Sequence, residues 1–146
     1  MKFSIRRFDE LSPYELYDLL GLRSEVFVVE QDCVYQDIDD KDLRAYHVLG
    51  LLGERIAAYA RIFNSGDYFS KPSIGRILVK KEERKNKYGY LLVKESIRFI
   101  EKNFAEKTIH LSAQKYLVRF YNSLGFTQKG SEYLEDGIPH VYMVKR

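Results

Sequence analysis

Two groups of residues in this chain have the types and spacing for chemistry. The first is Arg84-Lys85-Asn86-Lys87-Tyr88-Gly89. An alternating β-branched segment, Ser73 to Lys80, precedes it, and a segment with apolar residues at Val93, Ile97, Ile100 and Phe104 follows. Those periods are a strand and a helix with a basic loop between them. The first N–H groups of a helix have no intrahelical acceptor, and the helix dipole is positive there. The stretch from Arg84 to Tyr90 would therefore aim donors and positive charge at one point, which suits a phosphate. An exposed basic turn ahead of an ordinary helix fits the loop equally well. The second is Phe120-Tyr121-Asn122-Ser123-Leu124-Gly125-Phe126, where the Tyr121 phenol can donate a proton without needing a charge at neutral pH. Twelve tyrosines are present, so a core aromatic beside Phe120 is the competing reading.

Other chemistries find less support. The loop is not a P-loop, since no Gly-Lys-Ser/Thr follows, and it lacks the Gly-x-Gly-x-x-Gly of dinucleotide sites. An EF-hand begun at Asp37 fails, with Asp42 where glycine is needed and Val48 where glutamate is needed. No metal is expected. The single cysteine, Cys33, gives neither a disulfide framework nor a Cys-rich zinc site. Of the three histidines, His110 alternates away from Leu111 and reads as ordinary, while His47 and His140 could each be structural or functional.

The chain is 146 residues long, enough for one domain, 1–146, with a proper core. A hydrophobic fraction of 45% with 31% charged residues is ordinary for a globular protein. A net charge of +3 is too small to point to nucleic acid. No apolar run approaches the roughly 20 residues of a membrane-spanning helix, and the amino-terminal segment lacks the apolar core of a signal peptide. The expectation is a cytoplasmic protein with no membrane partner.

The elements that must position these residues can be read in order. Lys2 to Phe8 alternates as a strand. Ser12-Pro13-Tyr14-Glu15 is a capping box with proline at the first helical position, and the helix should run to about Val29, with Gly21 as its weak point. Glu30 to Asp42 is irregular and acidic and reads as a solvated loop. Arg44 to Leu52 and Glu54 to Phe63 are strands around Gly53, the second apolar on both sides and therefore central. After the Ser73–Lys80 strand and the helix that follows Gly89 come a short strand, Thr108 to Ala113, and a helix, Gln114 to Leu124, stopped by Gly125. Two last strands, Phe126 to Tyr133 and His140 to Lys145, flank Glu135-Asp136-Gly137-Ile138-Pro139. The fold class is α/β (α+β): a mixed central sheet with helices on both faces.

That order, and two motifs, resemble the GNAT superfamily of N-acetyltransferases. Their acyl-CoA loop is Arg/Gln-x-x-Gly-x-Gly/Ala between a strand and a helix. Arg84 and Gly89 match its ends, while Lys87 replaces the middle glycine. Ser112 through Phe126, ending Phe120-Tyr121-Asn122-Ser123-Leu124-Gly125-Phe126, resembles the family's strand–helix signature. Leu22 to Gln31 and Tyr133 to His140 are similar to the ElaA-like branch, and the likeness runs from about Leu16 to the carboxyl end. It implies a GNAT fold and transfer of an acetyl group from acetyl-CoA, the cosubstrate, to a primary amine by direct attack. Tyr121 would be general acid on the CoA thiolate. The backbone edges of Ile77, Leu78 and Val79 would hold pantetheine, and the N–H groups from Lys85 to Tyr90 the pyrophosphate. Lys87 brings a Cβ where the family has none, and a positive charge with it.

An attacking amine must be neutral, so a base or water chain should lie close by. Glu30, His47, Glu132, Glu135 and His140 are candidates, with Glu30, His47 and His140 the tentative acceptor-side residues and none singled out. The acidic Glu30–Asp42 and Glu132–Asp136 segments would attract a cationic amine or simply be solvated. Cys33 is expected far from the CoA sulfur, against a covalent relay through it. The acceptor would be a small molecule or peptide amine, and a homodimer is compatible with the sequence. A second reading is an acyl-CoA-binding sensor or interaction module, favoured by Lys87 and opposed by Tyr121. A nucleic-acid binder using Lys80, Lys81, Arg84, Lys85 and Lys87 is the weakest, because Glu82 and Glu83 dilute the patch.

Overall fold

Local signals place the first elements as expected. β1 (Lys2–Arg7) is extended, and Ser12 accepts the Glu15 N–H while Glu15 accepts that of Ser12. This box, with Pro13, opens α1 (Pro13–Arg23). Arg6 grips the same Glu15 carboxylate at 2.6 and 2.7 Å, fastening the helix start to β1. A computed structural model describes residues 1–146. In it the helix continues to Glu30, but it widens into a π-helical run over Ser24–Glu30. The change falls there and not at Gly21, which stands in open space. An i→i+5 turn shifts the helix face, and such turns recur beside functional sites.

β2 (Tyr46–Leu52), β3 (Arg55–Phe63) and β4 (Ser73–Val79) pair antiparallel after β1. α2 (Tyr88–Asn103) crosses to β5 (Ile109–Gln114), which lies parallel to β4. β6 (Thr127–Glu135) and β7 (Ile138–Lys145) complete a seven-stranded sheet of order β1-β2-β3-β4-β5-β7-β6. One face of the sheet packs on α2 through Val48, Ala58, Ala60, Ile62, Leu92, Val93, Ile97 and Ile100. The other packs on α1 through Leu19, Leu22, Leu49, Tyr59 and Leu78. The mixed sheet with helices on both faces is as the periodicity required.

Three readings of the sequence need correction. The segment Gln114 to Leu124 is not one helix: Gln114 ends β5, Lys115–Leu117 is a 3-10 turn, and α3 is only Val118–Asn122. The last hairpin is tighter than Pro139 suggested, turning on Asp136 and Gly137 alone, both with positive φ. Pro139 pairs with Leu134 within it.

The largest correction concerns the acidic stretch. Asp37 and Asp42 are buried, and arginines hold them. Arg23, with no solvent exposure, donates to Asp37 Oδ2 and Asp42 Oδ1, both at 2.7 Å. Arg61, toward the end of β3, donates to Asp42 at 2.9 Å and to both Asp39 oxygens at 2.8 and 2.5 Å. Arg76 Nε lies 2.8 Å from Asp37 Oδ1, an ionic contact too poorly aligned for a hydrogen bond. Burial alone would raise the pKa of Asp42, but the Arg23 hydrogen bond and the charges of Arg23 and Arg61 outweigh it and hold the carboxyl below its usual range. Asp37, Asp39 and Asp42 thus form an ionic brace that is not free to attract an amine, while Glu30, Asp32 and Asp40 of the same stretch are exposed.

Candidate active site

The brace sits beside a break in the sheet. Arg76 has φ +48 and the β3–β4 register shifts between Tyr59 and Arg61, so β4 bends. β4 and β5 share a single registered pair, Ser73 with His110, and then diverge. The β5-facing backbone of Arg76–Val79 is left without a strand partner. A cavity of about 800 Å³ opens there. The π-helical run supplies Val26, Phe27 and Glu30 to its wall, and β4 supplies Arg76, Ile77, Leu78 and Val79. The basic loop adds Arg84, Lys87, Gly89 and Tyr90, and the 3-10 turn and α3 add Tyr116, Leu117 and Phe120. Ser112 and Gln114 from β5, with Glu135, Asp136, Ile138 and His140 from the last hairpin, close the far end.

At the mouth, Lys81–Asn86 winds as a 3-10 turn and α2 begins at Tyr88 with no side chain capping it. Lys87 takes φ +60, ψ 23, the left-handed conformation glycine adopts freely. A side chain there costs about 1–2 kcal/mol, and the turn keeps its geometry despite it. Arg84 is already engaged: its Nε donates to the Val79 carbonyl at 3.0 Å, and its two terminal nitrogens hold Glu30 at 2.5 and 2.9 Å. The pair ties the π-helical run to the loop across the mouth. Lys85 and Asn86 are exposed in the same loop, and neither they nor Tyr88 reach the wall.

At the far end, His140 is buried and oriented. Its Nδ1–H donates to the Ile138 carbonyl at 2.7 Å, and its Nε2 lies 3.4 Å from Glu135 Oε2. Ser112 contacts the Tyr133 hydroxyl and donates to Glu135 Oε1 at 3.2 Å. The His140 ring and the Glu135 carboxylate thus stand side by side at this end of the cavity. Glu132 is instead paired with Lys115 at 2.7 Å, away from the cavity wall.

Glu30, expected on the acceptor side, is held at the mouth by Arg84, and two more expected residues fall elsewhere. His47 is fully buried in the ionic brace, accepting from the Tyr59 hydroxyl at Nδ1 (2.6 Å) and donating from Nε2 to the Asp42 carbonyl at 2.9 Å. Burial is the main cause that lowers its pKa, so it is a neutral structural histidine and not part of the acceptor end. Tyr121 is 5% exposed and lies beneath the cavity wall, in the core against Phe120 and Phe126. Burial pushes its phenol pKa up, as does the nearby phenol of Tyr116, a wall residue. The five-residue α3 explains the placement: one turn cannot put both neighbours on the same side, and Phe120 takes the cavity side.

The cavity also recruits residues that spacing did not flag. Cys33 and Tyr35 line it, and the Cys33 Sγ donates to the Asp136 carbonyl at 3.4 Å. Arg76 and Tyr116 are wall residues as well. A positive-φ arginine inside a strand has no sequence signal.

Comparison with known proteins agrees with this architecture. Residues 11–146 match the model of the acetyltransferase (GNAT) domain. The chain is 43% identical over 138 residues to protein ElaA of Escherichia coli strain K12, covering 93% of this chain and 90% of that one. The crystal structure of E. coli ElaA superposes with a TM-score of 0.92, covering 99% of both chains. An acyl-CoA N-acyltransferase from Pseudomonas aeruginosa superposes at 0.93 with 32% identity, over the whole of both chains. An aminoglycoside 6'-N-acetyltransferase complexed with coenzyme A shares the fold, at a TM-score of 0.72 and 16% identity.

Proposed function

Because the chain belongs to the GNAT acetyltransferase family, in its ElaA-like branch, we propose that it transfers an acetyl group from acetyl-CoA to a primary amine. The observation that carries this is the free backbone edge of Arg76–Val79 beside the uncapped start of α2, both on one cavity. Pantetheine would add to that edge as a strand does. The pyrophosphate would meet the first N–H groups of α2, with Lys87 and Arg84 beside them. The acetyl carbon would then lie toward Ser112, Glu135 and His140.

At that end the amine gives a proton to His140 Nε2, directly or through a water, and its nitrogen attacks the thioester carbon. The C–N bond forms and the C–S bond breaks; the nitrogen sheds its surplus proton to water, the thiolate takes one from Tyr121, directly or relayed through Tyr116, and exchange with solvent returns His140 and Tyr121 to their starting states. Burial keeps the Tyr121 phenol protonated at rest but also makes it a weaker acid, so the transfer would be coupled to C–S cleavage. No covalent enzyme intermediate is needed. Tyr121→Phe keeps the ring packing and removes only the proton, so kcat should fall about 10²–10⁴-fold with little change in CoA affinity. Acetylation that continues undiminished in Tyr121→Phe sinks that role and leaves Tyr116 or solvent as donor.

A second reading is an acyl-CoA-binding sensor or interaction module. Its support is that Tyr121 lies off the wall and that Glu30 already occupies Arg84. Calorimetry with CoA beside acetylation assays over a panel of amines separates the two: binding without turnover of any amine selects the sensor.

A further inference from the structure

Beneath the acceptor end lies a second, smaller cavity of about 70 Å³. Phe63, Tyr68 and Phe69 wall it, Tyr68 stacked on Phe69 at 4.2 Å and edge-on to Phe63 at 5.3 Å. Arg61 and Ser73 line it as well, exposed to only 1% and 2%. Each of them has one polar atom with no partner: Arg61 Nε and Ser73 Oγ. Every other nitrogen of Arg61 is committed to Asp39 or Asp42. Two buried donors without acceptors are unusual in a folded protein, where such groups are nearly always paired. Ser112 and Glu135 belong to both cavities, so the niche continues directly from the end where the amine would sit.

We propose that this niche selects the acceptor: a small primary amine that carries an uncharged hydrogen-bond-accepting oxygen, a hydroxyl or an amide carbonyl, close to its nitrogen. The inference rests on the acetyltransferase reading. The amine sits at Glu135 and His140, and its oxygen reaches down to accept from Arg61 Nε–H and the Ser73 hydroxyl. Electrostatics disfavours a carboxylate in that place. Arg23, Arg61 and Arg76 are balanced by Asp37, Asp39 and Asp42, so the cluster under the niche offers donors and no spare positive charge. Glu135 at its mouth adds a negative charge that favours an ammonium and opposes a second anion. The aromatic walls bring no acceptor for the two donors except the Tyr68 hydroxyl, which is not bonded to them. A ligand oxygen that accepts from these donors satisfies them, whereas an apolar group leaves both stranded.

The test compares ethanolamine, glycinamide, propylamine and glycine as acceptors for the full chain with acetyl-CoA, and repeats the series with Ser73→Ala. Ethanolamine or glycinamide should exceed propylamine by about tenfold or more in kcat/KM, because a site built around donors rejects the analogue lacking an acceptor. Glycine should fall below glycinamide. In Ser73→Ala the ratio of oxygen-bearing to oxygen-free amine should collapse toward one. That ratio is measured within one protein, so a partial loss of folded enzyme cancels. Equal use of propylamine and ethanolamine, or a ratio that Ser73→Ala leaves intact, overturns the proposal and assigns the niche to ordered water. Chemical-shift titrations of the same amines into the CoA-bound protein read the niche without turnover. A Ser73-dependent preference for glycinamide there, with no amine acetylated, keeps the niche and removes the acetyltransferase reading; no preference by either measure removes the niche.

Discussion

Charge is gathered in two regions of this molecule, and the protein treats them in opposite ways. In the brace formed by Arg23, Arg61, Arg76, Asp37, Asp39 and Asp42, every guanidinium meets a carboxylate out of the solvent. At the cavity mouth, Lys85 and Lys87 stand in water beside a helix start that no side chain caps. Coulomb attraction is strong and unscreened in the first region and weak in the second. The brace therefore holds structure, because a charge buried with its partner cannot be released without large loss. The mouth keeps its donors available, because exposed charges lose little by waiting for a ligand. Sign and number of charges say nothing about which region is which; burial decides.

Removing one carboxylate from the brace is the sharpest way to break this contrast. Asp42→Asn leaves Arg23 and Arg61 buried with an uncompensated charge and should destabilise the fold by about 3–5 kcal/mol. Denaturant unfolding measures it, and a loss near that of an exposed pair, under about 1 kcal/mol, would mean the brace is wet. Acid should attack the same region next. His47 is held neutral with its pKa below 6.5, so the unfolded chain takes that proton first and stability declines as pH falls below about 6.5. Asp39 and Asp42 have depressed values, so their contribution is present above the ordinary 3.8 and is lost as pH falls through their folded values. Unfolding midpoints in urea across that range should fall in two stages; a flat profile between pH 7.5 and 5.5 would show that His47 charges without strain.

At the mouth the same kinds of change should touch binding and spare stability. Arg84→Gln should weaken CoA binding about tenfold, the worth of one charge-assisted hydrogen bond. Glu30→Gln should tighten it, because Glu30 competes with phosphate for Arg84. Calorimetry that finds both variants weakened would assign Glu30 a positioning role instead. The smallest effect is at Lys87, whose left-handed backbone suits glycine. Lys87→Gly should stabilise the chain by up to about 1 kcal/mol and leave CoA binding near that of the parent, whereas Lys87→Glu should weaken binding. Thermal melts and CoA titrations of the two variants, compared with the parent, separate backbone strain from lost charge.

These outcomes also mark what a sequence can carry. The capping box at Ser12, the β-branched alternation of β4 and the apolar period of α2 are local signals, and each of those elements formed where its pattern lay. The loop from Arg84 to Gly89 was legible for the same reason, since a strand, a basic turn and a helix start are contiguous. The brace was not, because Asp37 and Asp42 meet Arg23 and Arg61 only through tertiary packing, and an acidic run reads as solvated until its partners are known. Tyr121 was legible only in part: its motif marks the turn, yet α3 is too short for spacing to say which of Phe120 and Tyr121 lines the cavity. Cys33 and Arg76 reach the wall through the π-helical widening and a positive-φ bend, and no residue pattern announces either.

The divergence of β4 from β5 has a consequence for hydrogen exchange. Amides in the middle of a sheet normally exchange only when the whole molecule opens. Here the β5-facing amides between Arg76 and Val79 adjoin a cavity, so they should exchange quickly while their neighbours in β3 stay protected. The most central strand would carry a fast stripe along one side. A ligand lying along that edge would slow the stripe and little else, so an exchange map taken with and without CoA would trace the ligand's path residue by residue. A stripe already slow without ligand would mean that the two strands close on each other in solution.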